Sequence, residues 1–322
     1  MKAFFYALGL GSALLAARPA QVQAQAIPNN DFENWARPNG VVEAPATWLT
    51  TDLILAFFNN IPANNYFDTG TVTKTTDAHG GSYAAQLNTL SIPTQSGAVL
   101  LPGLLVLGTK PGPATNTVVG LPNGGSPYAA RPTQLQFYYK LSGPAADSAS
   151  ALVYLTQTPK AGAPPTIVGA GFSYLQPTTG GYAVLTLPIQ YSSGVTPDSV
   201  HVQFSSGDAA NITAGTTLRV DDLALSGTAL ATRAEASLQA QLTVAPNPSP
   251  AGRFVISSPA QPALAGAPLM VLDALGRVVV RQAAQAAPTG ERTLDLSGLQ
   301  PGLYLLRLDA KQGTLVRQLV VQ

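Results

Sequence analysis

Between Gln134 and Leu141 the chain alternates without a fault. Leu135, Phe137, Tyr139 and Leu141 fall on one side, and Gln134, Gln136, Tyr138 and Lys140 on the other. A period of two with one apolar side describes a half-buried strand and does not fit a helix. Shorter runs repeat the theme at Ala151 to Thr156, Thr166 to Phe172 and Tyr182 to Ile189, with turns at Gly143-Pro144, Pro164-Pro165 and Gly180-Gly181. Val200, Val202 and Phe204 form the inward side of another strand, with His201 and Gln203 outward. With 30 glycines and 27 prolines breaking up the apolar runs, the expected fold class is all-β. The strand Thr217 to Leu225 slips: Leu218 and Val220 are even, Leu223 and Leu225 odd. A one-residue slip needs a bulge or bend, here at Asp221-Asp222. Leu53 to Phe58 stays open between buried strand, short helix and loop lid, because periodicity alone does not separate them.

Length permits about two domains. Thr228 to Gln241 is Ala-rich and lacks the strand pattern, so it reads as a linker with some helical character. Seven short strands are expected after it, near Leu242 to Ala245, Arg253 to Ser257, Pro268 to Leu272, Arg277 to Gln282, Arg292 to Leu296, Gly302 to Leu308 and Thr314 to Val321. That density suits a small β-sandwich. The expected division is a front module over 25–228, a linker over 229–241 and a second domain over 242–322.

At the other end, Lys2 precedes the apolar stretch Ala3 to Ala17, and Val22-Gln23-Ala24 offers a small-x-small cleavage site. This is the layout of a signal peptide over 1–24, with maturation at Gln25 and Ile27 as a second start. The stretch is shorter than the roughly 20 residues that span a bilayer. Such a leader marks the chain for export. Lys plus Arg (17) nearly equals Asp plus Glu (16), which lacks the basic excess that nucleic acid or an acidic membrane demands. The absence of cysteine excludes disulfides, thiol chemistry and cysteine-ligated zinc.

Three spaced motifs mark the second domain: Ala245-Pro246-Asn247-Pro248, Val271-Leu272-Asp273-Ala274-Leu275-Gly276-Arg277, and Leu294 to Leu299 followed by Pro301-Gly302-Leu303-Tyr304. In order and position they resemble the type A C-terminal sorting domain of the Bacteroidetes type IX secretion system, an immunoglobulin-like β-sandwich. The resemblance implies export across the outer membrane, with a sortase-like peptidase among the partners, and Asn247, Pro248, Asp273, Gly276, Arg277, Gly298, Gly302 and Tyr304 as its signal residues. The front half resembles a jelly-roll module of secreted Bacteroidetes proteins named for carbohydrate metabolism, and more distantly jelly-roll carbohydrate-binding modules. The matching residues are Asn30 to Trp35, Pro45 to Trp48, Thr75 to Ala84, Arg131-Pro132 leading to Tyr138-Tyr139-Lys140, and Thr217 to Leu223. In related jelly rolls the Asp-Phe-Glu and Asp-Asp strands lie side by side and hold a structural calcium ion. The resemblance thus implies Ca2+ on Asp31, Glu33, Asp221 and Asp222, an ion that wants six to eight oxygen ligands.

Catalytic motifs are missing: there is no phosphate loop, nucleophile elbow or His-Glu-x-x-His. The two histidines, His79 in a Gly turn and His201 on a polar strand side, both suit solvated or hydrogen-bonded surface roles. Glycoside hydrolysis needs two carboxylates about 5–10 Å apart; Asp31, Glu33, Asp52, Asp68, Asp77, Asp221 and Asp222 are available. Sugar recognition needs aromatic planes beside polar groups. Trp35, Trp48, Tyr66, Tyr128 and Tyr138 are the candidates, although both tryptophans flank turns where plugging the core competes with display. Asp147-Ser148-Ala149 and Asp198-Ser199-Val200 resemble short O-glycosylation acceptors. The leading expectation is a non-catalytic exported module that binds an extracellular glycan or similar ligand. A glycan-active hydrolase and a structural or adhesive surface protein are its rivals.

Overall fold

The computed structural model describes residues 26–62, 65, 67–94, 97–110, 125–143, 149–158, 165–207, 212–227, 241–273, 277–311 and 313–322. The expected signal peptide, nearly all of the linker, Tyr66, Gly276 and most of Asp147-Ser148-Ala149 lie outside the described residues.

The front domain opens with β1 (Trp35–Ala36), β2 (Ala44–Pro45), β3 (Trp48–Thr50) and helix α1 (Thr51–Phe58). Then come β4 (Val72–Thr75), β5 (Ala84–Asn88), β6 (Leu90–Thr94), β7 (Gly97–Leu101), β8 (Leu104–Leu107) and β9 (Ser126–Pro127). The longer strands follow: β10 (Gln134–Ser142), β11 (Ser150–Gln157), β12 (Thr166–Tyr174), β13 (Ala183–Pro188), β14 (Gln190–Tyr191), β15 (Ser199–Ser205) and β16 (Thr217–Ser226). They form a jelly-roll sandwich. One sheet runs β13-β10-β16-β5-β4, the other β14-β12-β11-β15-β8-β3 with β9 beside β15. The facing sides share one core, including Phe32, Trp48, Leu87, Leu105, Leu135, Phe137, Val153, Phe204 and Leu218. Burying such side chains is worth about 1.5–3 kcal/mol each before chain entropy is charged, which lets a cysteine-free domain stand.

The LILAFF stretch resolves as helix. Leu53, Ile54 and Ala56 are buried, while Leu55, Phe57 and Phe58 are exposed. That one-sided pattern lays α1 over the outer side of β3 and β8, against Leu49, Leu104 and Val106. The slip in β16 is a bulge. Gln136 of β10 pairs with Ala224 and Tyr138 with Asp221, so two residues of β16 oppose Phe137. Asp222 absorbs the extra residue at φ 49°, a left-handed conformation that Asp tolerates better than most side chains.

The second domain contains β17 (Thr243–Ala245), β18 (Arg253–Ser257), one helical turn α2 (Pro262–Ala265), β19 (Leu269–Leu272), β20 (Val278–Gln282), β21 (Glu291–Asp295), β22 (Gly302–Ala310) and β23 (Gly313–Val321). All seven expected strands form, with bounds shifted by a residue or two. Sheets β17-β18-β21 and β20-β19-β22-β23 close a separate small immunoglobulin-like sandwich around Phe254, Ile256, Val271, Leu294, Leu306 and Leu319.

Candidate functional site

The segment between β4 and β5 turns back over the outer side of the five-stranded sheet, and the β16 bulge anchors it. One carboxylate oxygen of Asp221, Oδ2, accepts the backbone N–H of His79 at 2.8 Å and of Gly80 at 3.1 Å. Its other oxygen, Oδ1, accepts the N–H of Asp222 at 2.9 Å. Glu33 holds the far end of the same turn, with Oε1 accepting the N–H of Ser82 at 2.7 Å and of Tyr83 at 2.9 Å. The turn must be Gly-Gly to come this close. A Cβ on Gly80 would lie 2.6 Å from Asp222 Oδ2, and Gly81, at φ +60°, has Glu33 Oε1 where a Cβ would go. Asp221 is fully buried. Burial pushes its carboxyl up from the ordinary 3.8, and the three amides pull part of the way back.

His79 is thereby laid flat on Tyr138, with ring centroids 3.5 Å apart and planes 12° from parallel. Its Nδ1 is 2.6 Å from Asp222 Oδ2. Tyr182 meets the same imidazole edge-on at 5.8 Å and donates its hydroxyl to the Asp77 carbonyl at 2.6 Å. Burial first, then the Asp221 and Asp77 charges, pushes the Tyr182 phenol up. The Asp77 carboxylate takes Lys140 Nζ at 3.0 Å and Arg219 Nε at 3.3 Å. The result is a half-exposed patch with a ring stack at its centre and charged hydrogen-bonding groups around it.

The expected neighbours of Asp221 are present. The Leu223 N–H donates to the Asn30 carbonyl at 2.8 Å, and Asn30 Nδ2 donates to the Leu223 carbonyl at 2.7 Å. The Asp31 to Glu33 stretch therefore follows on beside the bulge. Among the described residues no three His, Asp or Glu side chains gather so as to hold a metal ion. Glu33 Oε1 and Asp221 Oδ2 accept loop amides, and Asp222 Oδ2 lies against His79.

The other aromatic candidates divide. Trp48 is 2% exposed and Tyr128 3% exposed. Trp48 packs on Phe32 at 5.2 Å and donates Nε1 to the Pro28 carbonyl at 3.2 Å. Both are core side chains that no ligand reaches, which corrects their expected binding role. Trp35 sits half-exposed at the rim, with Lys74 Nζ 5.8 Å above its ring. His201 is a partly exposed, hydrogen-bonded histidine: it stacks on Tyr154 at 4.4 Å and lies 3.2 Å from the Thr156 hydroxyl. Tyr182, Lys140 and Arg219 were not singled out by the sequence for this patch. Lys140 was legible as outward on its strand, but no local pattern announces Tyr182.

In the second domain the motif residues close the sheet. Asn247 Nδ2 donates to the Gln318 carbonyl at 2.6 Å and its Oδ1 accepts the Val320 N–H at 2.9 Å, so one amide side chain zips the final strand. Pro248 is followed by Ser249, which bridges Val321. Asp273 accepts the Arg277 N–H at 2.9 Å and its guanidinium Nε at 2.6 Å. Gly302 opens β22 opposite Val321, and the Tyr304 hydroxyl donates to the Gln300 carbonyl at 2.8 Å. A Cβ on Gly298 would meet nothing.

Among curated proteins none matches the chain. Among solved structures, a candidate glycoside hydrolase of Bacteroides thetaiotaomicron is similar at 18% identity and TM-score 0.42, over 57% of this chain. The alignment spans only 63% of that protein's length. The carbohydrate-binding module TmCBM61, solved with β-1,4-galactotriose, is similar at 11% identity and TM-score 0.33, over 63% of this chain and 98% of that one. CBM28, a module specific for non-crystalline cellulose, is similar at 12% identity and TM-score 0.32, over 64% and 96%. The likeness is one of fold alone. Among the described residues no helix is long and apolar enough to cross a membrane. Residues 243–322 match the family described as the secretion system C-terminal sorting domain, and this C-terminal domain is a type IX sorting domain that sends the protein to the cell surface or beyond.

Proposed function

We propose that the exported front domain binds carbohydrate, without cleaving it, on the open outer side of the five-stranded sheet. The observation that carries this reading is the His79–Tyr138 stack, half-exposed and held flat by two carboxylates beneath it. Sugar C–H faces lie against such rings, while Lys140, Arg219, Asp77 and Gln136 supply donors and acceptors for the hydroxyls around them. Neither α1 nor the second domain packs on this side.

The same geometry favours binding over hydrolysis. A hydrolase keeps one carboxylic acid and one carboxylate open to the glycosidic bond. Here Asp77 is bridged by two cations, Glu33 and Asp221 accept backbone amides, and Asp222 is paired with His79.

The test is a glycan-array screen of the mature chain beside its Tyr138→Ala variant, followed by a sugar-release assay on every glycan retained. Retention that drops at least about tenfold in the variant, with no release, supports the reading. Retention indifferent to Tyr138 moves the site elsewhere. Release of reducing sugar makes the protein a hydrolase. No retention of any glycan favours an adhesive role.

A further inference from the structure

Strand β11 of the front domain and β22 of the sorting domain both depart from strict alternation, and side chains of the two belong to one buried cluster. In β11, Ala151, Val153 and Leu155 belong to the front core, yet Ser150, Leu152, Tyr154 and Thr156 on the opposite side are buried too. In β22, Tyr304, Leu306 and Leu308 belong to the second core, yet Leu303 and Leu305 are buried as well. Strands with a single apolar side alternate, and strands covered on both sides read as continuous apolar runs. Each domain therefore carries, in its own sequence, a strand built to be covered twice.

The cover is mutual. Leu152, Tyr154, Ala170 and Phe172 of the front domain form one buried cluster with Leu272, Leu305 and Val316 of the sorting domain. Polar contacts fix the orientation. Arg307 donates to the Phe172 carbonyl at 2.5 Å, the Ile167 N–H donates to Gln318 Oε1 at 3.2 Å, and the Arg281 guanidinium lies 5.1 Å from the Tyr174 ring centre. A crevice of about 170 Å³ stays open beside the contact, lined in part by Phe172, Pro188, Leu305, Arg307 and Val316. Such an incompletely filled, partly polar junction is the kind that holds domains together reversibly.

We propose that the sorting domain is a non-covalent cover for the outer side of the seven-stranded sheet. It stays docked when the connection between the domains is cut, and its departure, not the cut itself, uncovers an aromatic surface. That surface would present Tyr154 stacked on His201 and Phe172 edge-on to Tyr174, on the opposite side of the sandwich from the His79 patch.

A site-specific protease sequence placed within 229–240 of the full chain tests this. After cutting at micromolar protein concentration, the two pieces are expected to co-elute in gel filtration, with Tyr154 protected from nitration as in the uncut chain. Leu305→Asp with Val316→Asp should separate them and expose Tyr154. Both side chains point away from the sorting domain's own core, so the released piece should keep its β-sheet circular dichroism. Should it not, Arg307→Ala, which removes the bond to Phe172 together with the ion pair to Asp309 inside the sorting domain, is expected to weaken co-elution at least about tenfold. Separation of the unsubstituted pieces on cutting, or co-elution indifferent to these residues, overturns the proposal.

Discussion

Strands β10 and β11 follow one another in the chain, sit in opposite sheets of one sandwich and differ in a single respect. β10 is buried at every second residue, whereas β11 is buried at every residue but its last. Their inward sides do the same work in the same core. Their outward sides do not: Gln136, Tyr138 and Lys140 meet solvent and one folded-back loop, while Leu152 and Tyr154 meet a second domain. The contrast gives the front domain one side for the outside world and one for its own export signal.

Truncating one tyrosine on each strand should break or uphold that contrast most sharply. Tyr154→Ala removes a ring buried between domains and should cost about 3 kcal/mol, in the range of large aromatic truncations. Tyr138→Ala leaves the core untouched and should cost about 1 kcal/mol or less, the stack with His79 being the main loss. Urea unfolding of residues 25–322 reads both. Equal costs would mean that the two outward sides are equally buried in solution.

Much of this arrangement was legible in the chain, and what was not has a physical reason. Alternation in β10 and the slip at Asp221-Asp222 are local facts, because a sheet side is set by parity and a bulge by one extra residue. Trp48 reads the same whether it plugs a core or displays a ring. The backbone at Thr47 (φ 69°) and the ring of Phe32 decide it, and neither is visible in the turn itself. The stack of His79 on Tyr138 joins a loop to a distant strand through a buried carboxylate, so residue type alone could not announce it. The unbroken run in β11 was in plain sight, yet a doubly covered strand and a short buried helix look alike until the cover is seen.

Next in size is the bulge that makes the solvent side a site. Asp221 accepts three N–H groups through two oxygens, so Asp221→Asn must point an amide N–H2 at a donor. A cost of about 1–3 kcal/mol is expected, together with release of the 77–83 loop and loss of glycan retention. Asn at 221 with retention intact would detach the loop from the site. A pH series sharpens the same point. Burial raises the folded-state value of Asp221 above the ordinary 3.8. Across that window the folded chain holds more proton than the unfolded one, and Asp221's contribution to stability falls as the pH rises through the raised value. The deficit of Asp221→Asn should therefore be widest near pH 4 and narrow towards neutrality. A deficit that grows with pH would mean that the three amides outweigh burial.

The smallest effect separates the two accounts of the carboxylates at the bulge. If Asp31, Glu33, Asp221 and Asp222 held calcium, as their resemblance to related jelly rolls implies, the bound ion would stabilise the folded state by mass action. At a hundredfold excess over Kd that is about 2.7 kcal/mol, several degrees of Tm for a domain of this size. If Glu33 and Asp221 are instead committed to backbone amides, as the bonds to His79, Gly80, Ser82 and Tyr83 describe, an ion would have to displace those bonds to gather its ligands. Millimolar calcium and excess chelator should then give melting curves within about 1 °C of each other. A shift of several degrees that disappears in Asp222→Asn would restore the metal reading. It would also turn the His79 patch from a stack braced by carboxylates into one braced by a cation.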